Sequence, residues 1–400
     1  MKLMVTILLT AGYMAAGAQE LHVGDRLPEI KIKNMINGPG KSLSVGQLKG
    51  KVTIIDFWAT WCSPCVSALG KLEQYKRQFG DKLVVLALSD EATGRLKQFI
   101  HNRPVGLLVS NDTAAGLQRI FPHRIIPHTV LIGIDGKIKA ITEPDNITPE
   151  IIELALNNAP FDLPLKNDLI NFSVEEYFKT DTTAQQSFRM LPPVEGFGSM
   201  SRRYPTGFFK DRRMTMVNMT MDGLYRLAYD RSYYLLKNEY DTTVRSYKDE
   251  KKYCVDFWLP VGQSDQLLPY FQQKLKEQFL DVEAVPEKRK MKVLVIKADS
   301  TASQKLKSSR ESNNLFNAGG SHFEGNGVRL QSLAEYIEDF GLYAGKVMDE
   351  TGLTGRYDIF FEWQPEKPAS LKAAFASLGL YWEVAEREVE IMVLKNKNNR

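Results

Sequence analysis

The stretch Phe57-Trp58-Ala59-Thr60-Trp61-Cys62-Ser63-Pro64-Cys65 sets a Cys-x-x-Cys pair directly after an apolar run. Lys51 to Trp58 (Lys-Val-Thr-Ile-Ile-Asp-Phe-Trp) is rich in β-branched and aromatic residues, which predicts a buried strand. Beyond Cys65, apolar residues recur at helical spacing at Val66, Leu69, Leu72 and Tyr75. A strand followed by a helix puts Cys62 at the helix mouth. There the positive end of the helix and its free backbone N–H groups favour a thiolate, lowering a cysteine pKa from ~8.5 into a range of ~3.5 to 7.5. Cys65, one turn in, is placed to resolve a mixed disulfide formed on Cys62.

A Cys-x-x-Cys pair also forms half of some zinc sites, so the supply of further ligands matters. Only Cys254 remains, and His22, His101, His123, His128 and His322 show no zinc-ligand spacing, so no metal site is expected. A structural disulfide without redox chemistry is the other reading; a helix-mouth position makes a thiol reactive rather than inert. Exchange between sulfurs needs no cofactor, and none is expected.

Three ordered segments carry a family resemblance. They are Asp56 to Cys65, then Leu83-Val84-Val85-Leu86-Ala87-Leu88-Ser89-Asp90-Glu91, then Ile126-Pro127-His128-Thr129-Val130-Leu131-Ile132-Gly133-Ile134-Asp135-Gly136-Lys137-Ile138. From about Gly24 to Ala159 the chain resembles the thioredoxin superfamily, most closely the TlpA-like and ResA-like thiol-disulfide oxidoreductases of bacterial envelopes. The resemblance implies an α/β thioredoxin-like fold, a redox-active Cys62–Cys65 disulfide and catalytic roles for both cysteines. It also implies that Pro127 is the cis-proline facing the active site, with Trp61, Ile126 and Pro127 binding substrate.

Asp56 matches the family position of the buried acid behind the disulfide. A carboxyl in an apolar strand has a raised pKa and can take a proton near neutral pH, here from Cys65 during resolution. The alternative is a strand-end carboxylate paired with Lys51 or Lys82. The chain departs from the family at Gly70, where many relatives have a helix-kinking proline. A thiol peroxidase of the same fold needs a Pro-x3-Thr/Ser-x2-Cys signature, and Thr60 lies two residues before Cys62 with no proline in the upstream place.

Residues 1–18 read as a secretory signal: Met1-Lys2 is basic, Leu3 to Ala16 is apolar and short, and Ala16-Gly17-Ala18 suits cleavage. No later segment is apolar enough to span a membrane, so a periplasmic chain with no integral membrane segment is expected. Its expected partners are envelope protein dithiols or disulfides and a membrane thiol reductant. The 400 residues, 43% hydrophobic and 25% charged, suffice for more than one core, and a net charge of +4 is small for that length. Arg202-Arg203 and Lys210 to Arg213, interleaved with Tyr204, Phe208 and Phe209, read as a solvated loop; export argues against a nucleic-acid partner.

The texture changes near Phe161, so the expected organisation is a redox domain over 19–160, a linker over 161–186 and an α+β module over 187–400. Met214 to Met219 predicts a strand with Thr220 capping the next helix, Tyr253 to Leu259 a strand containing Cys254 as a small buried hydrophobe, and Ser264 another helix cap. A helix, strand, charged turn, strand order appears in Leu275 to Ile296 and again in Leu371 to Leu394, with Glu287-Lys288-Arg289 and Glu386-Arg387-Glu388 as the turns. That repeat predicts two related lobes, about 187–307 and 328–397. Residues from about Ser187 to Lys397 resemble a soil-associated family of unknown function, carried by Asn218 to Tyr229 and by Asp349 to Trp363. The helix after Ser370, Gly379 and a following hairpin also resemble the short N-terminal domains of secretins and TonB-dependent receptors. The glycines of Thr351 to Tyr357 read as turn chemistry. The resulting function is disulfide exchange with a docking module attached; the alternative is a non-catalytic envelope binding or assembly protein on the same scaffold.

Overall fold

The computed structural model describes residues 20–38, 40–113, 116–240, 250–310, 315–319, 321–340 and 342–397. The secretory segment expected at 1–18 lies outside them. The chain forms two compact units. The first takes residues up to Ile170 apart from the short stretches 60–62 and 101–104, and the second is built on Asn171–Arg400.

The first unit is a five-stranded sheet of β1 (Val52–Phe57), β2 (Leu83–Ser89), β3 (Leu108–Asn111), β4 (His128–Ile132) and β5 (Ile138–Thr142), in the order β3-β2-β1-β4-β5. β1, β2 and β3 run parallel, while β4 is antiparallel to both β1 and β5. Every residue of β1 is buried, as a central strand covered on both faces requires. Helices α1 (Ser63–Phe79), α2 (Thr93–Asn102) and α3 (Pro149–Leu156) complete a thioredoxin-like α/β domain. Thr148 caps α3 by accepting from the Ile151 amide, and Pro149 fills its first turn.

The helix α1 runs unbroken for 17 residues through Gly70. A Cβ built at Gly70 meets no heavy atom within 4 Å, and its backbone is ordinary right-handed helix. Gly70→Ala is therefore expected to stabilise the protein by about 0.5–1 kcal/mol, because glycine loses the most backbone freedom in a helix. Urea unfolding of the two proteins checks it; a loss of stability would contradict the open space seen there.

The second unit is β-rich with packed helices, an α+β module. One antiparallel sheet orders Ser187–Leu191, Lys252–Trp258, Arg213–Thr220 and Met200–Arg203. Thr220 caps the helix Met221–Ala228 as expected, accepting from Gly223 N. Ser264 instead opens a 3-10 turn, and the α-helix starts at Leu267. Cys254 is a free, fully buried thiol in its strand. Gly352 has φ +71, the left-handed backbone of a turn.

Three expectations for this half are corrected. Val282–Ala298 and Leu380–Asn396 are single 17-residue strands paired antiparallel along their length, so neither charged triplet is a turn. The register explains why: Lys288 faces Glu390, Lys290 faces Glu388 and Lys292 faces Glu386, and opposite charges across a ladder support strand pairing. The hairpin after Gly379, on which the secretin likeness rested, is thus absent. The repeated units join in one ribbon rather than each closing its own hairpin.

Arg212 and Arg213 are buried rather than solvated. Arg213 forms an ion pair with Asp256 at 2.9 Å and lies over the rings of Tyr204, Phe209 and Trp258, while Arg212 donates to the carbonyls of Leu259 and Phe208. The aromatic residues that punctuate the basic cluster are its partners. The segment expected as a linker is also largely engaged. Lys166 N donates to Ile141 O in the first unit, and Val174 and Phe178 enter a buried cluster of the second.

Candidate active site

Cys62 immediately precedes α1, and Cys65 sits in its first turn. The two are disulfide-bonded to each other, since both are oxidised and the only other cysteine is free. Trp61 is 55% exposed beside them, Cys62 is nearly buried, and Cys65 has no exposed surface. Cys62 therefore lies at a helix N-terminus, a position that in general favours a thiolate.

The loop containing Ile126 and Pro127 reaches the same end of the sheet. The Ile126–Pro127 peptide is cis, and β4 begins at the next residue. His128 registers against Phe57, the last residue of β1, and the chain from Phe57 continues directly to Cys62.

Asp56 is fully buried one residue earlier in β1. It is not paired with Lys51 or Lys82: Oδ1 accepts from Thr129 Oγ1 at 2.6 Å, and Oδ2 has no hydrogen-bond partner among the described residues. Burial pushes its pKa up to about 7, against which the Thr129 hydrogen bond acts. A carboxyl in that range exchanges a proton at neutral pH.

Four residues near the Pro127 loop were not singled out in the sequence. His123 and His128 stack with ring centroids 4.6 Å apart and planes 13° from parallel, and Phe57 lies 4.5 Å from the His123 ring. Lys166 and Asp168 form an ion pair of 2.8 Å with both side chains almost covered. Burial, followed by the neighbouring His123 and Lys166 charges, drives His128 down to about 3, so it is neutral. The available signal was the placement of His128 directly after Pro127; the role of Lys166 and Asp168 depends on a long-range contact.

Residues 22–156 match the Redoxin family model, and residues 232–396 match a protein family of unknown function, DUF3738. The second match starts later than the Ser187 expected. A thioredoxin-like protein YneN of Bacillus subtilis is 34% identical over 73 residues, 18% of this chain and 39% of that protein. A thiol-disulfide oxidoreductase ResA of Bacillus cereus is 26% identical over 125 residues, 31% of this chain and 70% of ResA. The crystal structure of the thioredoxin domain of a thiol-disulfide oxidoreductase from Bacteroides vulgatus aligns with a TM-score of 0.31 and 23% identity, covering 34% of this chain and all of that one. Among the described residues no helix is long and apolar enough to cross a membrane. Residues 22–156 thus match the Redoxin family model and are similar in sequence to proteins named thiol-disulfide oxidoreductase.

Proposed function

We propose that the protein is an exported enzyme that exchanges disulfides with envelope proteins through Cys62 and Cys65, and that its C-terminal module docks an envelope partner. The observation that carries this reading is the disulfide at the N-terminus of α1. In the reduced enzyme, the Cys62 thiolate attacks a substrate disulfide, forming a mixed disulfide and releasing one substrate thiolate. Cys65 then attacks Cys62 Sγ, releasing the second substrate thiolate. The substrate gains two electrons and the enzyme loses two. Asp56 takes the Cys65 proton in the second step, and Trp61, Ile126 and Pro127 hold the substrate strand. A membrane thiol reductant restores the dithiol; the same steps reversed oxidise a partner dithiol. No nucleic acid takes part.

The test uses the full chain. With dithiothreitol it is expected to accelerate insulin disulfide reduction at pH 7. In the reduced protein, alkylation followed by peptide mass spectrometry should label Cys62 at least about tenfold faster than Cys65 or Cys254. Those two are fully buried, and burial raises the Cys254 thiol further. No insulin reduction together with equal labelling of all three would leave only a scaffold role.

A further inference from the structure

The backbone just before the cis-proline is held by side chains some 40 residues later in sequence, in the segment that leaves the redox domain. Asp168 Oδ2 accepts from the backbone amides of both Arg124 (2.8 Å) and Ile125 (2.9 Å). Lys166 Nζ donates to the Ile125 carbonyl at 2.8 Å and to both Asp168 carboxylate oxygens at 2.8 and 2.9 Å. Three backbone polar groups of two adjacent residues, Arg124 N, Ile125 N and Ile125 O, are thus fixed by one ion pair. Arg124 Nη1 adds a return bond to Ile170 O at 3.0 Å.

The strap itself is anchored to the sheet. Lys166 N donates to Ile141 O at 2.9 Å, and Thr142 Oγ1 donates to Pro164 O at 2.7 Å, both along β5. The Lys166 and Asp168 side chains are 10% and 5% exposed, while the Arg124 and Ile125 backbone they hold lies at the surface. Charge-assisted hydrogen bonds of this kind are roughly twice as strong as neutral ones, and they orient as well as attract.

We propose that Lys166 and Asp168 are positioning residues for protein substrates, acting through Arg124 and Ile125 on the Ile126-Pro127 backbone. The inference rests on the proposed substrate role of that backbone. An extended substrate segment that pairs with a loop needs the loop's peptide planes fixed in advance, because any residual freedom must be lost on binding. A small disulfide that meets only Cys62 has no such requirement. Loosening the strap should therefore weaken protein substrates selectively and leave thiol chemistry alone.

The experiment compares full-length wild type, Asp168→Ala, Asp168→Asn and Lys166→Met on two substrates, insulin and the small aryl disulfide dithiobis(nitrobenzoate). Asp168→Ala is expected to raise KM for insulin about tenfold with kcat within about twofold, and to leave the aryl disulfide rate within about twofold. Asp168→Asn keeps a carbonyl oxygen that can accept from both amides, so it should recover most of the lost KM. Lys166→Met should shift insulin KM in the same direction, and it decides the matter if Asp168→Ala does not fold. Unchanged insulin KM in the folded variants, or equal losses on both substrates, would overturn the proposal. Failure of the wild type itself to reduce insulin would instead overturn the function on which the proposal stands.

Discussion

Cys65→Ser is expected to turn the protein into a trap. Cys62 keeps its place at the start of α1 and still attacks a disulfide, but nothing within the site can displace the partner. Mixed disulfides on Cys62 should accumulate, visible as heavier species on non-reducing gels that collapse with dithiothreitol, while insulin turnover falls. Cys62→Ser should be more damaging still, with turnover lost by about a thousandfold or more, since the nucleophile itself is gone. Cys65 cannot substitute: it has no exposed surface, and a thiol closed off from solvent is a poor nucleophile. Cys254→Ser should change turnover little, because that thiol is buried with Val174, Phe178 and Val217 in a cluster of the second unit. Full insulin turnover by Cys62→Ser would remove the assignment of roles. Identification of the trapped proteins would then name the partners that docking is proposed to serve.

The parts of the site legible in the sequence are those fixed by local pattern. The apolar run of β1 and the spacing of Leu69 and Leu72 placed Cys62 between a strand and a helix, and both residues are core in the structure. An apolar run that marks a buried strand does not say what lies across it, so Thr129 as the partner of Asp56 becomes visible only with the register of β1 and β4. The Lys166–Asp168 strap was hidden for a stronger reason: turn-like residues in Leu163-Pro164-Leu165-Lys166-Asn167-Asp168 signal a loop, and only the folded chain shows that the loop returns to the sheet. In the second half, dense charge mimics turn chemistry. The charged middles of these long strands carry no clear apolar period, and their stabilising partners lie about a hundred residues away across the ribbon.

Asp56→Asn is expected to change how stability depends on pH, and the sign follows from two opposed groups. Asp56 has a folded pKa of about 7 against an ordinary value of 3.8. Below pH ~4 it is protonated in both states and imposes no cost; as pH rises from there through 7 only the unfolded chain ionises freely, and about 4 kcal/mol of stability is lost. His128 runs the other way, with a folded pKa of about 3 against 6.5. Its contribution is fully present above pH ~6.5 and is lost as pH falls toward 3, by an amount of similar size, about 4–5 kcal/mol. Between pH ~4 and 6.5 the two nearly cancel, so the oxidised wild type should show little net slope from this pair. The asparagine retains an oxygen to accept from Thr129 but never ionises, although its amide introduces an unpaired donor where Oδ2 has no partner, at a pH-independent cost of ~1–3 kcal/mol. Urea unfolding of oxidised Asp56→Asn should therefore show stability rising by about 3–4 kcal/mol from pH ~4 to 6.5, a slope absent from wild type. Parallel profiles for the two proteins would mean that Asp56 titrates near its ordinary value in the fold. It could not then serve as the proton acceptor for Cys65, and the inflection near pH 7 expected in wild-type insulin turnover should also be missing.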